Sequence, residues 1–151
     1  MCESTADYEM RLYARYLMEM NDLRARIADA ETELDMDTFG VSSPRIKSAE
    51  EAKYRNSPKV YMEDEALKRM ESRDRIENSV LPPLRIEFAL KRIFCYVIQK
   101  KLAAADLSDE DRTILYLRYF RGKSLREIAA TLYGNKDQIA QKLRNILECL
   151  E

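Results

Sequence analysis

GKSLREIAATLYGNKDQIAQKLRNIL, Gly122 to Leu147, contains two helix-forming segments separated only by Tyr133-Gly134-Asn135. Ser124 is a helix-capping residue with Glu127 three positions on, a pairing that closes a capping box. Ile128, Ala129 and Leu132 then give the first helix an inward face, and small Ala129 suits a close crossing by another helix. Gly134 is expected to take the positive φ of the turn, and Asn135 to cap the second helix. In that helix Ile139, Leu143, Ile146 and Leu150 recur at i, i+4, i+7 and i+11, which is one apolar stripe.

At about 100° per residue, Asp137, Gln141 and Arg144 fall opposite this stripe, with Lys136, Gln138, Lys142 and Asn145 on its flanks. Two abutting helices with such an outer face suit insertion of the second into the major groove of double-stranded DNA. Glutamine can pair bidentately with adenine, and lysine can reach guanine N7 and O6. The base-reading candidates are Lys136, Asp137, Gln138, Gln141 and Lys142; the phosphate candidates are Arg121, Lys123, Arg126 and Arg144.

Upstream, Leu107-Ser108 followed by Asp109, Glu110 and Asp111 marks another helix start, with acids at the positive end of the helix dipole. That helix passes through Ile114, Leu115, Leu117 and Phe120 and ends at Gly122. Residues 84–105 read as an apolar helix bearing Ile86, Leu90, Ile93, Phe94, Val97, Ile98 and Leu102, expected to be the central buried element. Leu81-Pro82-Pro83 is expected to stop a preceding helix over 62–80.

From Ser4 or Thr5 to about Leu34 the spacing predicts one long helix. Tyr13, Tyr16, Met20, Leu23, Ile27, Ala30 and Leu34 alternate at three and four residues, the pattern of three heptads. Two readings stand: packing on the chain's own helices, or a homodimeric coiled coil through residues 5–34. Residues 35–61 break the pattern at Gly40, Pro44 and Ser57-Pro58. Ser48 with Glu51 allows a short capped helix there, and Arg45, Lys47, Lys53, Arg55 and Lys59 are either solvated or phosphate contacts.

The whole chain has 151 residues, 46% hydrophobic and 35% charged, with 3 Gly and 4 Pro, a balance that favours an all-α protein. The absence of histidine excludes His-based general bases, His zinc sites and Ser-His or Cys-His pairs. No Gly-rich phosphate loop is present, so neither an enzyme nor a cofactor or metal site is expected. Three scattered cysteines do not form a disulfide framework. No apolar run approaches a membrane span and MCESTADYEM is no signal peptide, so a cytoplasmic protein without membrane contact is expected. Residues 1–83 carry 13 Lys and Arg against 18 Asp and Glu; residues 84–151 carry 13 against 9. An acidic N-terminal helical region (1–83, with loop 35–61) thus precedes a basic helical domain (84–151, with the two-helix corner in 107–151).

LSDEDRTILYLRYFRGKSLREIAATLYGNKDQIAQKLRNILECL, residues 107–150, resembles region 4 of the sigma-70 family, the domain that reads the promoter −35 element. Leu107, Ser108, Leu117, Arg118, Tyr119, Gly122, Ser124, Glu127, Ile128, Ala129, Leu132 and Ile139 carry the resemblance at matching spacing. It implies a DNA-binding helix-turn-helix that presents Lys136, Asp137 and Gln141 to the major groove. Ala140 and Tyr133-Gly134 depart from the family pattern. The remaining chain lacks the aromatic-rich segment that melts promoters. Its layout is similar to small phage and prophage regulators of the ArpU and RinA kind, which implies a transcriptional regulator; it is expected to bind double-stranded DNA and to touch RNA polymerase or another partner through its N-terminal helices. Two other readings stay open: a small terminase-like DNA-packaging subunit, and a protein-interaction module that binds polymerase rather than DNA.

Overall fold

The computed structural model describes residues 4–39 and 58–151. Six α-helices follow one another: α1 (Thr5–Phe39), α2 (Pro58–Arg75), α3 (Leu81–Ala104), α4 (Asp109–Leu115), α5 (Leu125–Thr131) and α6 (Lys136–Leu150). π-helical turns Ile76–Val80 and Tyr116–Phe120 follow α2 and α4. The described residues contain no strand, so the all-α expectation holds. α1 runs on to Phe39 and α2 begins at Pro58, which narrows the irregular stretch expected at 35–61. Gly40, Pro44, Arg45, Lys47, Ser48, Glu51, Lys53 and Arg55 lie outside the described residues, as does the side chain of Lys59.

Packing divides the chain into two compact units, residues 22–88 and residues 1–21 with 89–151. In the first, Ala30, Ile76 and Leu81 form a small core with Ile27, Leu34 and Val80 against them. The larger unit is built on Ala6, Met10 and Tyr13 of α1, Cys95 and Ile98 of α3, and most of the apolar residues after Leu107. Ile114 and Ile128 are both fully buried in it.

Of the heptad residues expected in α1, Tyr13, Leu23 and Ala30 are buried and Tyr16, Met20, Ile27 and Leu34 are half-buried against the chain's own residues. Tyr13, Tyr16 and Met20 pack into the larger core, and Ile27, Ala30 and Leu34 into the smaller. Tyr13 meets Phe120 edge-on at 5.8 Å between ring centroids, and Tyr16 meets Phe94 at 5.2 Å. Such pairs are worth about 1 kcal/mol beyond the area they bury. Of the two readings of α1, packing on the chain's own helices is the one these contacts show.

Two expectations are overturned. Leu81-Pro82-Pro83 does not stop a helix. Leu81 is itself helical (φ −68°, ψ −44°), and its N–H reaches back to the carbonyl of Ile76. The π-helical turn widens the backbone just before the prolines. It displaces the carbonyls that a proline ring meets in a regular helix, and α3 continues.

α3 is not buried all round either. Cys95 and Ile98 face the core with Phe94 and Leu102 beside them, whereas Ile86, Leu90, Ile93 and Val97 are 48–64% exposed. Periodicity fixes the direction of an apolar stripe but not its number of neighbours, and packing on one side covers only part of a helix's circumference. No helix among the described residues is long and apolar enough to cross a membrane.

Truncating the fully buried Ile128 removes packing on every side of its side chain. Ile128→Ala should destabilise the protein by about 3 kcal/mol, within the range for buried aliphatic truncations. Urea unfolding followed by circular dichroism measures it, and a loss below about 1 kcal/mol would mean that the site collapses around the smaller side chain.

Candidate nucleic-acid interface

α4 and α5 are only seven residues long, too short to persist by propensity alone, so their ends matter. At α5 the Ser124 hydroxyl accepts from the Glu127 N–H at 3.3 Å, and the Glu127 carboxylate accepts from the Ser124 N–H at 2.7 Å. This is the capping box read from the sequence. α4 carries a second one, between Ser108 and Asp111, beyond the Ser108 cap and favourable acids that the sequence predicts.

The corner between α5 and α6 is made differently from the expectation. The residue with positive φ is Tyr133 (φ 53°), not Gly134. Leu132 ends α5, Tyr133 turns left-handed, and the Gly134 N–H bonds the Ala129 carbonyl at 2.9 Å. This is the hydrogen bond of a Schellman ending, in which the residue after the left-handed one reaches back into the last turn. A tyrosine tolerates the position because its side chain is fully exposed and meets no packing constraint. Gly122, at the earlier corner, does take positive φ (63°).

α6 starts at once. The Asn135 side chain accepts from the Asp137 N–H at 3.1 Å, the expected cap. Ile139, Leu143, Ile146, Leu147 and Leu150 are buried along one side. Lys136, Asp137, Gln138, Gln141, Arg144 and Asn145 are exposed on the rest. Burial of Ala129 to 5% exposure leaves no room for a larger residue where α5 meets its neighbours, as the sequence suggested.

The nine candidates are not equivalent in this arrangement. Lys136, Asp137 and Gln138 occupy the exposed first turn of α6. Gln141, one turn on, donates to Asn145 at 2.9 Å and accepts from Arg144 at 3.3 Å, a surface chain that sets its amide orientation. Lys142 is turned away, with its ammonium 2.6 Å from Glu110 on α4, so reading a base would require breaking that pair. Arg121 and Arg126 are exposed and Lys123 half-buried around the start of α5. Arg118, not among the candidates, donates to the Lys123 carbonyl at 3.2 Å and fixes that approach. Only the family-like Leu-Arg-Tyr string marked it in the sequence.

The geometry is that of a helix-turn-helix: a capped first helix, a four-residue corner (132–135), and a second helix with one side in the core and the other in solvent. Residues 103–150 match the family model described as Sigma-70, region 4. Neither a curated protein nor a solved structure matches the chain. The C-terminal third is therefore a sigma-70 region 4-like helix-turn-helix, a class of DNA-binding regulatory domain rather than an enzyme fold.

Two consequences can be measured. Replacing Tyr133 by Gly relieves a left-handed side-chain conformation that costs an L-residue about 1–2 kcal/mol, against roughly 0.5–1 kcal/mol of added chain entropy. Tyr133→Gly should therefore raise stability slightly; a lower urea midpoint would show that the tyrosine ring does stabilising work at the surface. Glu127 is held below the usual carboxylate value near 4.5, first by the Ser124 backbone N–H and then by the Ser124 hydroxyl. A carboxyl lowered in the folded state stabilises above its unfolded value, and that contribution is lost as pH falls through the folded one. Glu127→Ala should therefore be less stable than the parent at pH 7 and converge toward it near pH 3. A difference that stays constant over that range would remove the carboxylate from the explanation.

Proposed function

We propose that this protein is a sequence-specific DNA-binding transcriptional regulator of phage or prophage origin, acting in the cytoplasm. It reads a promoter-proximal site with α6 and touches RNA polymerase or another protein through its N-terminal helices. The observation that carries the reading is the division of α6. Its apolar side is locked into the core while Lys136, Asp137, Gln138 and Gln141 stand in solvent beside a tight corner. A helix positioned so rigidly, with side chains able to pair with base edges, is what direct readout needs. The match of residues 103–150 to sigma-70 region 4 supports the same reading. The phage assignment rests on the layout alone: a long N-terminal helix, a connection, an apolar helix and a terminal reader.

Arg121, Lys123, Arg126 and Arg144 would meet the phosphates on either side of the groove, positioning α6 without specifying sequence. One such module offers few contacts. Two copies joined through residues 5–34 would double them and demand a two-fold site. Because the heptad residues of α1 are buried or half-buried by the chain itself, a dimer there would also use residues left exposed, such as Tyr8 and Met18.

Selection from randomised duplex DNA at about 100 mM salt tests the reading, with Lys136→Ala/Gln141→Ala beside the intact protein. The intact protein should enrich one motif. Loss of two base contacts worth about 1–3 kcal/mol each should weaken the variant by tenfold or more and blur the motif at the positions read. Two-fold symmetry in the motif reports two copies. A folded protein that enriches nothing would sink DNA readout and leave the module as a protein-binding scaffold.

A further inference from the structure

Within the larger unit, α1, the end of α3, α4 and the Tyr116–Phe120 turn together bound a cavity of about 370 Å³. Its floor belongs to the core: Met10, Tyr13 and Leu115 are 2%, 8% and 4% exposed. Half-buried Leu102, Leu107 and Phe120 form the sides, and Phe120 meets Tyr13 edge-on and stacks with Tyr116. The rim is exposed, and consists of Ala103, Arg112 and Tyr116. Arg112 is the one charged residue among those lining the cavity. Its guanidinium makes no hydrogen bond or ion pair with any described residue. Of the acids near it on α4, Glu110 holds Lys142 and Asp111 is engaged by Ser108, while Asp109 forms no ion pair with it. The nine-tenths-buried Tyr13 likewise has a hydroxyl that no described residue engages. No buried side-chain N or O among the described residues is both sealed from solvent and unpartnered, so that hydroxyl keeps its access to solvent.

We propose that this cavity is a binding site for a small amphipathic carboxylate, with its apolar body on the core floor and its carboxylate on Arg112 at the rim. The gradient of polarity carries the inference. An apolar and aromatic recess with a few polar groups is the usual make-up of a small-molecule site, and 370 Å³ lies within the usual range of volumes. A guanidinium with all five N–H donors uncommitted is a fork matched to a carboxylate. At about 30 Å³ per non-hydrogen atom the space holds roughly a dozen such atoms, the size of decanoate. The floor of core residues favours a chain end that enters the recess over a partner helix laid across it. The site lies apart from the outer face of α6, and its test involves no DNA.

The experiment is calorimetric titration of the intact protein with hexanoate, octanoate, decanoate and dodecanoate, each kept below the concentration at which it forms micelles. One molecule should bind per chain. Affinity should rise by roughly tenfold for every two carbons added, and level off beyond decanoate once the cavity is full. Decanoate should bind about fivefold more tightly than decanol, a preference expected of an exposed ion pair, and Arg112→Gln should abolish that preference. Ala103→Phe, at an exposed position of the rim, should block the cavity and remove binding without unfolding the protein. Leu90→Ser/Ile93→Ser strips apolar surface from the exposed stripe of α3, outside the cavity, and should leave the affinity unchanged. Absence of binding by any of the four carboxylates would overturn the proposal. So would several molecules per chain with affinity still climbing at dodecanoate, binding that survives Ala103→Phe, or binding lost in the α3 pair. A preference for decanoate that persists in Arg112→Gln would overturn the placing of the carboxylate.

Discussion

Burial of the inner side of α6 is the constraint on which the rest of the larger unit depends. Ile139, Leu143, Ile146, Leu147 and Leu150 are withdrawn from water against a layer that includes Ile114, Leu115, Ile128 and Ala129. Each fully buried aliphatic side chain contributes about 1.5–3 kcal/mol of transfer free energy. The layer therefore holds the helix at one rotation, and that rotation decides which polar residues stand outward. A turn of one residue would carry Gln141 toward the side of the helix and Lys142 further from it. Which side chains make up the outer face is a consequence of the apolar one.

The short helices around that core depend on their ends. α4 and α5 have seven residues each, and both open with a reciprocal capping box. A seven-residue helix has few internal hydrogen bonds to offset the entropy of nucleation, so satisfying the first donors is a large share of its local stability. The corner that follows α5 tolerates a left-handed tyrosine because the Gly134 bond to Ala129 and the buried Ile139 just beyond it define the path on both sides. Local strain is held there by tertiary contacts.

α1 has a more substantial part than a spacer. Its first turns supply Ala6, Met10 and Tyr13 to the core on which α6 packs, and they are tied to it by polar contacts. Glu9 takes the Lys101 ammonium at 2.7 Å, Ser4 donates to Glu151 at 2.7 Å, and Asp7 accepts from Tyr119. Burial and the Asp7 contact push the Tyr119 phenol well above its ordinary value, so it remains the donor throughout the physiological range. Individually, exposed ion pairs of this kind are worth little. Their effect is to select one orientation for a helix end that hydrophobic burial already holds. The N-terminal residues and α6 thus share one core.

The sequence by itself determined the all-α class, the starts of α4, α5 and α6, and the buried stripe of α6, because these follow from short-range signals. Capping pairs three residues apart and apolar spacings of three and four are written locally. The polar residues of α6 followed from the same rotation, so its exposed first turn was also legible. What only the tertiary structure decided was which neighbours each surface meets. Ile86, Leu90, Ile93 and Val97 form as good a stripe as the residues of α6, yet they face solvent, since no periodicity records whether a partner helix is there. The prolines after Leu81 are accommodated by a π-helical turn whose wider hydrogen bonding local propensity does not report. Lys142 is drawn to Glu110, and Arg11 and Arg15 are brought beside Arg118, across separations of 32 and more than 100 residues. Pairings of that kind depend on how the whole core closes, and an amphipathic pattern specifies a face without naming what will cover it.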